Sequence, residues 1–129
     1  MKSLMKSNIY EFEENIIVCG TCLCNMQQKG FEELKKITNN IYEVCLEETH
    51  MNMVAHKIAS IIRIGKLKTL TFASVDGSPH CVQLHYIANE LKKIMKLDNL
   101  EIKNIVIVDN ILVEISEETI SKSKKLSEL

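Results

Sequence analysis

Short runs of β-branched residues alternate along this chain with longer segments whose apolar residues recur every three or four positions. That alternation constrains the fold most, because strands joined through helices pair in parallel and their crossovers cover the faces of the sheet. Residues 15–19 read as a first strand, in which Ile16, Ile17 and Val18 are unbroken by charge, as suits a strand buried on both faces. Residues 27–38 carry Phe31, Leu34 and Ile37 at helical spacing, and Asn39-Asn40 closes that helix. Residues 41–46 give a second strand rich in Ile, Tyr and Val, with Cys45 and Leu46 also compatible with a helix. The second helix spans 51–64 on a stripe of Met51, Val54, Ala55, Ile58 and Ile62, and Gly65 stands where a left-handed cap ends it.

Residues 67–75 form a third strand, and the turn DGSP leads into a third helix with Ser78 as N-cap and Pro79 at its first position. That helix runs to about Met95, with Leu84, Ile87, Ala88, Leu91 and Met95 toward the core. A last strand begins at Asn104, and Asp109-Asn110 turns the chain into a short hairpin ending near Ile115. The segment 117–129, rich in Lys, Ser and Glu, is expected as a solvated helix or frayed tail. The expected fold is therefore α/β: one domain over 1–129, a small three-layer sandwich about a mainly parallel sheet, in the order βαβαβαβ with a C-terminal hairpin. A flavodoxin- or Rossmann-like topology follows from that order. A chain of 129 residues is large enough for one core and too small for two.

Composition narrows the functional classes. The hydrophobic fraction of 46% with 26% charged residues excludes a disordered chain. Sixteen basic residues against 17 acidic ones leave no basic footprint for nucleic acid or anionic membrane. Apolar runs fall short of the roughly 18 residues of a spanning helix, and the N-terminus lacks a leader's apolar stretch, so the expected location is the cytoplasm. Five cysteines form no repeated framework and are expected as reduced thiols, free for structure, metal or chemistry.

Those cysteines are not scattered. The loops after the first three strands hold all five cysteines and three of the four histidines, and in a parallel sheet such loops share one rim where ligands bind. In CGTCLC, Cys19 and Cys22 have the two-residue gap that lets two thiolates grip one metal or form a redox pair, and Cys24 adds a third sulfur. Cys45 or Cys81 completes a four-thiolate set of the kind iron–sulfur clusters use, and zinc is satisfied by the same ligands. Cys81, at the start of the third helix, is expected to be the most acidic thiol, with His85 one turn on as a further ligand or a base.

Blander readings stand beside these. Free cysteine packs as a small apolar side chain, which suits Cys45, and His80 continues an apolar stripe as a core or cap histidine. His50 is a cap or ligand, His56 a surface residue, and Met51 to Met53 core filling. No glycine loop has phosphate-cradling spacing, and no Ser-His-acid pattern or nucleophile elbow is visible.

The stretch IIVCGTCLCNMQQKGFEELKK, with its four-residue gap between Cys19 and Cys24, resembles the first half of the thioredoxin-like two-iron ferredoxins. It departs from them after the next strand, where Cys45 is followed by Glu47, Glu48 and Thr49 with no second thiol nearby. CGTC is also similar to the motif of thioredoxins, although the third strand here leads to a long helix rather than a cis-proline hairpin. HCVQLHY has a looser similarity to small hydrogenase or heterodisulfide-reductase accessory subunits. These resemblances imply iron–sulfur or thiol chemistry as a theme.

The leading expectation is a redox or metal-binding module with an iron–sulfur cluster, or zinc, on Cys19, Cys22, Cys24 and Cys81, serving electron transfer or metal handling with a redox partner protein. Two rivals remain: a thiol enzyme using a Cys19/Cys22 dithiol or a Cys81/His85 pair, and a scaffold domain with inert cysteines.

Overall fold

A computed structural model describes residues 1–78, 81–97 and 99–123. The sheet has six strands in the order β1-β3-β2-β4-β5-β6, namely β1 Lys2–Ser3, β2 Asn15–Gly20, β3 Ile41–Val44, β4 Thr69–Val75, β5 Glu101–Val108 and β6 Ile111–Ile115. All neighbours pair in parallel except β5 and β6, which form an antiparallel hairpin. Asp109 and Asn110 both take positive φ at its turn, the conformation that a tight two-residue hairpin requires.

The helices are α1 Leu23–Met26, α2 Gln28–Ile37, α3 Met51–Ile64, α4 Gln83–Ile94 and α5 Glu117–Ser123. Two buried clusters show the layering. Leu23, Phe31 and Leu34 from α1 and α2 pack with Ile17, Cys19, Ala73, Val75 and Ile107 on one face. On the other, Val54, Ile58 and Ile61 of α3 and Leu84, Ile87 and Leu91 of α4 pack with Val18, Tyr42, Leu70 and Phe72. Alternate residues of β2 and β4 thus serve opposite faces, which is why those strands read as continuous apolar runs. Among the described residues, no helix is long and apolar enough to cross a membrane.

The expected three-layer α/β fold is the observed one, with local differences. Helix α3 has its expected bounds and ends on Gly65 at φ 87°. Helix α4 starts later than expected, at Gln83, after a turn in which the Ser78 hydroxyl accepts from the Cys81 backbone N–H at 3.2 Å. Ser78 therefore makes a cap-like bond ahead of the helix, while Pro79 and His80 lie outside the described residues. Ile37 shares the helical spacing of Phe31 and Leu34 but is 55% exposed, being the last residue of α2 before Thr38 turns the backbone extended. Met53 is exposed rather than core, since the buried side of α3 is set by Val54, Ile58 and Ile61. The edge strand β1 and the one-turn α1 carry no periodic signal in the sequence and were not expected.

Candidate functional site

From β2 the chain moves to β3 on one side, and from β3 it returns across β2 to β4 and β5 on the other. The crevice between the carboxyl ends of β2 and β4 is thus a topological switch point, where folds of this kind bind ligands. Cys22 follows β2 and Cys81 follows β4, and their Sγ atoms face each other there at 3.7 Å. Cys81 is buried and Cys22 partly exposed.

Gly20 makes this pairing possible. It ends β2 on the same face as Val18, and a Cβ at that position would collide with Cys81 Sγ. In dinucleotide-binding folds of doubly wound architecture, glycine in the first strand–helix turn gives room for a phosphate; here the room beside Gly20 is filled by sulfur.

Burial pushes the Cys22 thiol up from 9.0 to about 11, with its hydrogen bond to Cys81 and the charges of Cys81 and Cys45 adding to the effect. Cys45 stands next to this crevice, since the Thr21 N–H donates to the carbonyl of Val44 at 3.2 Å and so ties the loops after β2 and β3 together.

The pleat turns Cys19 to the face of the sheet opposite Gly20. Cys19 is fully buried in the core on the α1–α2 face, its thiol 3.4 Å from Met1 Sδ, so CGTC does not close on itself and Cys22 takes Cys81 as its partner. The side chain of Cys24 lies outside those described. His50 and His56 are exposed. Among the described residues, no three His, Cys, Asp or Glu side chains already stand together as a metal site.

His85 goes elsewhere, and with it the proposed pairing with Cys81. Both of its ring nitrogens are taken: Nε2 meets Ser74 Oγ at 2.7 Å and Nδ1 meets Asn104 Oδ1 at 2.9 Å. All three side chains are buried, at 3% exposure or less. Burial lowers the imidazole pKa, partly offset by the Asn104 bond. The amide oxygen can only accept, so the neutral ring carries its proton on Nδ1 and leaves Nε2 to accept the Ser74 hydroxyl. This chain of groups was missed in the sequence, because its members stand singly on β4, α4 and β5. The available signal was a polar residue breaking each of three apolar stripes. Ser74 and His85 line a cleft of about 390 Å³, walled also by Asp76, Gly77, Val106 and Ile120.

No match is found among curated proteins or solved structures. A family model described as a Rossmann-like domain matches residues 12–128, nearly the whole chain, and agrees with the mostly parallel, doubly wound sheet just described. The chain belongs to that Rossmann-like domain family.

Proposed function

We propose that this chain is a thiolate metal-binding module, in which Cys22 and Cys81 hold zinc or the iron of an iron–sulfur cluster at the switch point, for metal handling or electron transfer with a redox partner protein. The carrying observation is the 3.7 Å between the two sulfurs. Two thiolates bound about 2.3 Å from one tetrahedral ion stand about 3.8 Å apart, so this spacing supports the reading of two ligands on a shared metal. The raised pKa of Cys22 supports the reading: its desolvated thiol keeps its proton until a cation arrives to stabilise the thiolate. Cys45 and Cys24, from the adjoining loop and from α1, are the candidates to complete the coordination sphere.

A second reading rests on the same contact. A disulfide needs about 2.05 Å between sulfurs, so a small closure would join Cys22 to Cys81 as a reversible dithiol. Anaerobic purification followed by iron, zinc and acid-labile sulfide analysis separates the two. Metal near one equivalent or a cluster per chain, lost in Cys22→Ser and Cys81→Ser, supports the metal centre. Metal-free protein that forms a Cys22–Cys81 disulfide on mild oxidation supports the dithiol and overturns the metal reading.

A further inference from the structure

We infer that Ser74, His85 and Asn104 form a second, independent site: an acyl-transfer centre that hydrolyses small neutral esters within the cleft at the end of β4. Three observations carry this. The hydroxyl, imidazole and amide are joined in series, Oγ to Nε2 at 2.7 Å and Nδ1 to Oδ1 at 2.9 Å, the connectivity in which a histidine activates a serine and is itself held by a third group. Ser74 and His85 are both among the residues that line the cleft, so the pair is buried in protein yet stands at the wall of a space that a ligand can enter. Ser74 is the penultimate residue of β4, at the carboxyl edge where open parallel sheets place their chemistry.

The cleft also limits the substrate. Its walls include Val75, Val82, Val106, Ile115 and Ile120, and Asp76 is the one acidic or basic side chain besides His85 among the described residues that line it. A carboxylate or phosphate would meet the charge of Asp76 without a cation to offset it, so an uncharged ester with a short apolar acyl group fits best.

In the reaction, Ser74 Oγ bonds to the acyl carbon as its proton passes to His85 Nε2. The ester C–O bond then breaks, and the leaving oxygen takes that proton and departs as an alcohol. Water attacks the acyl-serine next, giving a proton to His85 Nε2. The Ser74–acyl bond breaks, the proton returns to Ser74, and the free acid leaves. Asn104 accepts from Nδ1 throughout and acts as a positioning residue.

The test is covalent labelling of the intact chain by a fluorophosphonate, mapped by peptide mass, with hydrolysis of p-nitrophenyl acetate measured alongside. The inference expects the label on Ser74 and a hydrolysis rate that falls at least about 100-fold in Ser74→Ala. Asn104→Asp should retain labelling, whereas Asn104→Leu should slow it while the folded near-UV spectrum persists. Labelling of wild-type protein needs no variant to fold. An unlabelled Ser74 in the folded wild-type chain, or hydrolysis equal in wild type and Ser74→Ala, overturns the inference and leaves these groups as a buried polar tie between β4, α4 and β5.

Discussion

Two polar groups meet at the carboxyl end of β4, and the protein treats them oppositely. The Ser74–His85–Asn104 side chains are almost fully buried at the wall of the cleft, and two hydrogen bonds join them in series across β4, α4 and β5. Cys22 and Cys81 lie at the neighbouring crevice in contact, with Cys22 partly exposed and its thiol pushed up by burial and by its bond to Cys81. One group is satisfied as it stands. On the proposed reading, the other gains most when a metal ion enters between the sulfurs. Internal satisfaction predicts a large effect on stability, while incomplete satisfaction predicts a large effect on binding.

The largest break in that contrast should come from His85→Leu, which strands the Ser74 hydroxyl and the Asn104 amide in the core. It should cost about 2–4 kcal/mol in denaturant unfolding. The same variant tests the pH dependence. Burial keeps the folded imidazole below its ordinary 6.5, so the unfolded chain binds the proton more readily. His85's contribution should be complete above pH 6.5 and fade as the pH drops through the folded value, and the loss should be absent in His85→Leu.

Gly20→Ala should come next, at about 1–3 kcal/mol, because its new methyl group displaces Cys81 Sγ. Unlike His85→Leu, it should also abolish metal uptake, measured by metal analysis after gel filtration.

The smallest effects separate two cysteines three positions apart. Cys19→Ala removes a buried sulfur from the α1–α2 face and should cost about 1 kcal/mol while leaving metal uptake intact. Cys22→Ser should change stability by no more than about 0.5 kcal/mol yet eliminate metal uptake. The reverse pattern would place the centre on Cys19 instead.

The same contrast explains what could be read from the sequence. Helix α3 and the β5–β6 turn were legible because their signals are local: an apolar stripe closed by Gly65, and Asp109-Asn110 between two β-branched runs. The rim of cysteines was legible as a cluster, since Cys22, Cys45 and Cys81 follow β2, β3 and β4. Its membership was not. Whether Cys19 or Cys22 reaches the crevice depends on the pleat, which sends Cys19 into the α1–α2 core and leaves Gly20 beneath Cys81. His85 was misread for a similar reason: one turn from Cys81 on α4 places it over Ser74 and Asn104, whose positions depend on β4–β5 register. Spacing within a segment was readable, whereas pairing between segments was not.

The central claim, that Cys22 and Cys81 are two ligands of one soft metal ion, is tested most directly by titrating reduced, metal-free protein with Zn²⁺ in weakly buffered solution while following heat and proton release. The account expects about one Zn²⁺ per chain with protons released on binding, and neither signal in the Cys22→Ser/Cys81→Ser double variant. Equal binding by the double variant, or no binding by the wild-type chain, would contradict it.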